Sequence, residues 1–220
     1  MLGIAMTNGN DIIPALDHLV FATPDVENTV SDLEARLGAP ATPGGRHPGR
    51  GTRNALFGLG PHSYLEIIGP DDGQPAGARP RWFGIDHLEA PRLVTWAARG
   101  TRLADLVARA AHRGVRLGAV AGGSRERPDG TMLLWSLTDP ATVIADGLVP
   151  FFIDWGDRPH PAAALPPGLA LAALRAEHPR AGEVRRILSA LGLALPVADG
   201  RRPALIATVE GAKGTIELRG

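Results

Sequence analysis

A histidine and a glutamate lie inside two apolar, strand-like runs, and these two residue types offer acid–base or metal-binding chemistry. His18 stands in the run LDHLVF at 16–21, and Glu66 stands in the run YLEIIG at 64–69. Burial of a polar side chain is costly unless the group is paired, so both residues need partners. A bound divalent metal or a buried hydrogen-bond partner would meet that need.

Composition limits the kinds of partner and chemistry that the chain can use. The chain has 220 residues, of which 44% are hydrophobic and 21% charged, as expected for a globular protein with a substantial core. The 23 basic side chains balance the 23 acidic ones, which gives no overall attraction to nucleic acid or to an anionic membrane. Because cysteine is absent, any metal must bind through His, Asp, Glu or water.

The sequence contains no signal for export, membrane insertion or nucleotide chemistry. No run approaches the ~18 apolar residues of a membrane span, and residues 1–10 lack the charged start and apolar stretch of a signal peptide. Phosphate loops, dinucleotide fingerprints and nucleophile elbows are also missing. We therefore expect a cytoplasmic protein that acts on a small-molecule substrate, with no nucleic-acid or membrane partner.

One structural plan occurs three times along the chain. Amphipathic helix patterns at 24–37, 101–114 and 179–192 end at Gly38, Gly114 and Gly192, at nearly equal intervals. Each helix follows a strand candidate and precedes a turn rich in Gly, Pro and Arg, after which two further strand candidates come. The sequence therefore predicts three βαβββ units at about 15–69, 92–155 and 169–218, with connectors at 70–91 and 156–168.

These units determine the expected architecture. A lone βαβββ unit leaves one face of its sheet without a helix, so units must pair to close a core. We predict an α+β fold in which repeated βαβββ modules form a cup-shaped mixed sheet with the helices on the outside, and a ligand in the cup. Since three units cannot all pair within one chain, we also expect a homodimer that completes the third.

The motifs that carry the chemistry also carry a family resemblance. The run at 16–21, the helix after it and YLEII at 64–68 resemble the vicinal oxygen chelate superfamily, which includes glyoxalase I, extradiol dioxygenases and fosfomycin- or bleomycin-resistance proteins. The stretch 51–70 is most similar to its glyoxalase-like domain proteins. The resemblance implies a glyoxalase-like domain over 15–161, on which residues 162–220 pack as a third βαβββ-like module.

The resemblance also implies a divalent metal (Zn, Mn, Fe, Ni or Mg) held by the first and last strands of paired modules. In that pattern His18 and Glu66 are ligands of the first module, and Glu217 and His160 are further candidates. Asp154 lies one position from the counterpart of Glu66, so it faces the other way unless a bulge intervenes. In the structural alternative, His18 makes a core hydrogen bond and Glu66 pairs with Arg53.

Other side chains near these strands complete the candidate site. Glu66 and Tyr64 share a strand face and are the catalytic candidates, although Tyr64 also suits a plain core position. By the same alternation, His18 shares its face with Leu16 and Val20. The candidates for substrate binding are His47, Arg53, Asn54, Trp135 and Asp154. For His47 a solvated hairpin turn is the favoured alternative, and for Trp135 a core position is favoured.

These features predict a small-molecule enzyme. In the expected mechanism a metal polarises a substrate carbonyl while Glu66 moves a proton, which suits a lyase, an isomerase or a dioxygenase-like enzyme. The alternative is a metal-free binding or resistance protein that uses the same cup and its tryptophans. A third possibility is a degenerate module with a structural role.

Overall fold

The computed structural model describes residues 15–74 and 80–220. Residues 1–10, interpreted above as lacking a signal peptide, and residues 75–79 of the first connector lie outside the described residues. The first unit comprises β1 (Leu16–Ala22), α1 (Val26–Leu37), β2 (Thr42–His47), β3 (Thr52–Gly58) and β4 (Tyr64–Pro70). The second comprises β5 (Arg92–Arg99), α2 (Leu103–His112), β6 (Val120–Glu126), β7 (Met132–Thr138) and β8 (Phe151–Asp154). The third comprises β9 (Ala170–His178), α3 (Ala181–Ala190), β10 (Val197–Asp199), β11 (Ala204–Gly211) and β12 (Gly214–Arg219).

Local sequence signals fix the ends of α1. The Asp25 side chain accepts a hydrogen bond from the Asn28 backbone at 3.0 Å and so caps the first turn. Gly38 ends the helix with φ of 75°, a left-handed conformation that glycine adopts without strain. Leu33 and Leu37 are buried on the inner face of α1. The helix therefore lies on the outside of the sheet, as the sequence predicts.

The first two units close into one barrel of eight strands in the order β1-β4-β3-β2-β6-β7-β8-β5. In each unit the first strand is parallel to the last, and the remaining neighbours are antiparallel. The units meet at two joints, β1 with β5 and β2 with β6. The predicted α+β class and the cup-shaped mixed sheet are thus confirmed.

The third unit keeps the element order of the other two but pairs its strands differently. Its sheet has the order β10-β9-β11-β12, so its first strand lies between the second and third instead of beside the fourth. It packs against α1, and one hydrophobic cluster contains Leu37 together with Val209 and Leu218. Because this sheet finds its cover within the same chain, no second copy is needed to complete it. A homodimer stays a prediction, but it can no longer be argued from an incomplete third unit.

A bulge in β1 alters the predicted alternation. The ladder between β1 and β5 shifts register between Leu16 and His18, which leaves Asp17 as the extra residue. Leu16 and Leu19 consequently both pack in the outer cluster that includes the helices. His18 therefore does not share the face of Leu16, as simple alternation predicted. The shift brings the Asp17 carboxylate beside the His18 ring.

No helix in the described part of the chain is both long and apolar enough to cross a membrane.

Candidate active site

A small pocket of about 40 Å³ lies inside the barrel, between its two halves. The first unit lines it with polar side chains, and the second with one cation and an apolar wall. The polar side chains are His18, His47, Asn54, Tyr64 and Glu66. The other wall consists of Arg125, Trp135, Leu137, Phe151, Ile153 and Trp155. This pocket is called the cup below.

Asp17 is the buried anchor behind the cup. Its carboxylate lies 2.7 Å from His18 Nδ1, 3.0 Å from Trp155 Nε1 and 3.0 Å from His160 Nε2. Burial alone would raise the pKa of Asp17, but the hydrogen bonds from His160 and His18 outweigh burial and lower the pKa to about 2. An ionised carboxylate only accepts hydrogen bonds, so all three of these nitrogens donate. His18 therefore carries a proton on Nδ1.

The opposite nitrogen of His18 faces Glu66 inside the cup. His18 Nε2 lies 3.7 Å from Glu66 Oε2, and the Tyr64 ring stacks on the His18 ring with centroids 4.7 Å apart. Glu66 Oε1 accepts a hydrogen bond from Asn54 Nδ2 at 2.5 Å. Oε2 receives no hydrogen bond from the described residues. The cup thus presents one carboxylate oxygen and one imidazole nitrogen that a ligand could engage.

His47 and Tyr64 are buried neutral groups of the same wall. His47 is 3% exposed, and its Nδ1 lies 3.0 Å from Thr52 Oγ1, so the favoured assignment of His47 to a solvated turn is corrected. Burial lowers the pKa of His47 to about 4, although the Glu66 carboxylate opposes that effect. Burial raises the pKa of Tyr64 well above its usual range. Both side chains are therefore uncharged at neutral pH.

Arg125 is the cup residue that sequence reasoning missed. It belongs to β6, in a glycine-rich run interpreted as a turn, and its side chain is 5% exposed. Nη1 donates to Asn54 Oδ1 at 3.3 Å, whereas Nε has no hydrogen-bond partner among the described residues. Burial lowers the pKa of Arg125, but a guanidinium remains charged in proteins. The Pro-Asp-Gly turn at 128–130 is the signal that could have placed Arg125 on a strand.

Four predicted residues do not line the cup. Arg53 pairs with Glu27 of α1 on the outside, so its proposed pairing with Glu66 is not formed. Asp154 accepts the Gly156 backbone N–H at 2.8 Å, just after its strand ends. His160 supports Asp17 from behind. Glu217 lies in the separate third sheet, where Arg175 Nη2 donates to it at 2.8 Å.

The described residues do not fit the metal set that the resemblance implied. His18 pairs with Tyr64 in the first unit, and Ala97 pairs with Phe151 in the second. Counting along the strands from those pairs, the second unit places Ala97 and Ile153 where the first places His18 and Glu66. Neither can bind a metal, and no cluster of three or more His, Asp or Glu in the described residues is arranged to hold one. The buried Arg125 cation adds repulsion.

A wider groove of about 680 Å³ lies outside the cup. The two spaces share Trp82, Phe83, Pro140 and Phe151 in their walls. Phe83 has φ of 62°, a left-handed conformation that is strained for a bulky residue and is often found at ligand sites. The connector between the units thus forms the boundary between the cup and the groove.

One solved structure shows the same type of fold, and two epimerase structures are similar over part of the chain. A hypothetical protein from Staphylococcus aureus is 13% identical, with a TM-score of 0.63 over 93% of this chain and 84% of that chain. A methylmalonyl-CoA epimerase from Mycobacterium tuberculosis is 19% identical, with a TM-score of 0.45 over 67% of this chain and 92% of that chain. A Streptomyces coelicolor methylmalonyl-CoA epimerase variant in complex with 2-nitronate-propionyl-CoA is 18% identical, with a TM-score of 0.43 over 63% of this chain and 95% of that chain.

Sequence comparison identifies the family. No curated protein matches the chain. The family model described as a glyoxalase-like domain matches residues 16–192, which include the whole barrel and the first strand and helix of the third unit. The chain belongs to this glyoxalase-like domain family, within the vicinal oxygen chelate superfamily.

Proposed function

We propose that the protein is an enzyme that moves a proton on a small oxygenated molecule, with Glu66 as the base and His18 as its partner. The observation that carries the proposal is the position of Glu66 Oε2. It lacks a donor among the described residues and lies 3.7 Å from His18 Nε2 inside a buried cup. A carboxylate and an imidazole in such positions are the usual participants in general acid–base catalysis.

The separation of the two groups limits the type of proton transfer. A base must approach within about 3 Å of the atom that it deprotonates, so bases on opposite faces of one carbon would stand roughly 6 Å apart. At 3.7 Å, Glu66 and His18 act from the same side and on neighbouring atoms. This geometry suits a shift of a proton between adjacent atoms of a carbonyl compound, or an elimination.

In the proposed step the Glu66 carboxylate takes a proton from carbon, and the C–H electron pair forms an enolate with the adjacent carbonyl. Tyr64 retains its phenolic proton because burial raises its pKa, so it is able to donate to an oxygen. Asp17 holds the His18 proton on Nδ1 and leaves Nε2 for proton exchange with the substrate. For a 2-hydroxyketone, His18 Nε2 takes the hydroxyl proton and passes it to the enolate oxygen, while Glu66 returns its proton to the former carbonyl carbon. The carbonyl thus shifts by one carbon, and both residues are restored.

The test is incorporation of solvent deuterium into candidate substrates. Wild-type protein in D₂O would be incubated with a panel of 2-oxo acids and 2-hydroxyketones, and loss of C–H signals would be followed by proton NMR. We expect exchange with at least one compound, and its loss in Glu66→Gln, which preserves shape and the contact with Asn54. Glu217→Gln is the matched control. Full exchange in Glu66→Gln would refute the assignment of the base.

A second candidate function is metal-free binding of a small ligand. The aromatic wall favours it, since the Trp135 and Trp155 rings lie 5.3 Å apart beside the cup. In that case Glu66→Gln would bind ligand as the wild type does, and no compound would exchange in either protein.

A further inference from the structure

Arg125 is a buried cation whose hydrogen-bonding capacity is largely unused. A guanidinium carries five N–H groups, yet the described residues supply one acceptor, Asn54 Oδ1 at 3.3 Å. Nε is buried without a partner, and no carboxylate oxygen of the described residues lies within 4 Å of the guanidinium. Burial of an unpaired charge is expensive, so this arrangement needs a ligand to complete it.

Asn54 keeps this cation and the proposed base apart. Its amide oxygen accepts from Arg125, while its amide nitrogen donates to Glu66 Oε1 at 2.5 Å. A direct ion pair between Arg125 and Glu66 would occupy both groups. The amide between them instead leaves Glu66 Oε2 and most of the guanidinium for a third molecule.

We propose that Arg125 binds the carboxylate of the substrate, so that the substrate is a small carboxylic acid with an apolar body. A planar guanidinium matches a carboxylate through two parallel hydrogen bonds. The aromatic wall of Trp135, Phe151 and Trp155 would contact the rest of the molecule. The inference rests on the proton-transfer function, because the carboxylate of a 2-oxo acid held at Arg125 would bring the C–H next to its keto group to Glu66.

The charges of the cup favour a monoanion over a phosphate. Glu66 brings a negative charge into the same pocket, so a dianionic phosphate would be repelled more strongly than a carboxylate. His47, a histidine of the same pocket, is uncharged at neutral pH because burial lowers its pKa to about 4. One cation thus faces the ligand, which matches one carboxylate.

Isothermal titration calorimetry with matched pairs of compounds tests the inference without requiring turnover. The probes are isobutyrate and phenylacetate, each compared with its amide, which has nearly the same shape but no charge, and inorganic phosphate. We expect the carboxylates to bind at least about tenfold more tightly than the amides, and phosphate to bind more weakly than the carboxylates. Equal affinity for acid and amide, tighter binding of phosphate, or no binding of either acid would overturn the inference.

Variants separate this inference from the proposed function. Arg125→Gln should lose carboxylate affinity by about tenfold or more, while Arg127→Gln, an exposed arginine on the same hairpin, should not change it. Glu66→Gln should bind carboxylates at least as tightly as the wild type while losing deuterium exchange. Retained carboxylate affinity in Arg125→Gln would refute the role of Arg125 and leave that of Glu66 intact. If Arg125→Gln does not fold, the affinities of the wild type for acid and amide still decide whether the cup binds a carboxylate.

Discussion

The two halves of the barrel share one plan but contribute opposite chemistry to the cup. The first unit supplies the imidazoles, the carboxylate and the phenol, whereas the second supplies Arg125 and an apolar wall. His18 and Glu66 of the first unit correspond by strand position to Ala97 and Ile153 of the second. A repeated scaffold therefore need not repeat its site. One half can perform acid–base chemistry while the other excludes water and binds the apolar part of a ligand.

Substitutions at the matching positions, made one at a time, test the division of roles between the two halves. Glu66→Gln should reduce proton exchange by about 10²- to 10⁴-fold, since it removes the base. Ile153→Leu alters the counterpart position in the apolar half and should change the rate only slightly. Both rates come from the NMR assay described above. Comparable losses in the two variants would contradict the division between the halves.

The polar half should also make the protein sensitive to acid. The pKa of His47 falls from 6.5 when unfolded to about 4 when folded, so below pH 6.5 the unfolded chain binds more protons. Stability should therefore fall by about 3 kcal/mol as the pH drops from 6.5 to 4. His47→Gln should flatten this part of the profile, measured by urea unfolding across the pH range. The exposed His62→Gln serves as the control, and an equal slope in wild type and His47→Gln would contradict the prediction.

Substitution of Asp17 tests whether proton exchange depends on the hydrogen bond that Asp17 accepts from His18. Asp17→Asn should reduce proton exchange by about 10- to 100-fold, because the amide no longer fixes the His18 proton on Nδ1. Since the pKa of Asp17 is lowered in the folded state, its stabilising effect is present above about pH 4 and is lost as the pH falls through about 2. Exposed Asp32→Asn is the control. An unchanged rate in Asp17→Asn would show that His18 needs no such support.

The smallest effect is expected in the third unit. Glu217 pairs with Arg175 on an exposed part of the separate sheet, and such surface pairs contribute about 0–1 kcal/mol. Glu217→Gln should leave proton exchange unchanged and shift the unfolding midpoint only slightly, in the same assays. A tenfold loss of exchange would instead connect Glu217 to the cup.

Much of the fold and half of the site could be predicted from local patterns. The helix pattern with its caps locates α1, and strand alternation places Tyr64 and Glu66 on one face. His18 faces that pair because the first and last strands of a βαβββ unit are neighbours. The caps of α1 and the alternation of β4 depend on residues that are close in sequence, so their physical causes are visible there. The neighbouring position of the distant strands β1 and β4 follows instead the order of elements that the family resemblance implied.

The remaining features depend on contacts between distant residues. The Asp17 carboxylate lies beside His18 because of a bulge in the ladder between β1 and β5. Asp17 also accepts a hydrogen bond from Trp155 of the second unit. Arg125 was hidden because its glycine-rich surroundings are typical of turns. The third unit shows that one order of elements permits two orders of strands, since α3 leads into a strand beside β9 rather than away from it. No local pattern distinguishes these two orders of strands.

The two joints of the barrel differ greatly in the number of residue pairs that form them. β1 and β5 share six residue pairs, whereas β2 and β6 share one, between Arg46 and Glu126. Gly45 makes this narrow joint possible, because a Cβ there would lie 1.8 Å from the Glu126 carbonyl oxygen. We therefore expect the barrel to open at the β2–β6 joint while the β1–β5 joint stays closed. Amide hydrogens of β2 and β6 should exchange with water sooner than those of β1 and β5. Each opening would separate His47 of β2 from Arg125 of β6 and admit a ligand from the side.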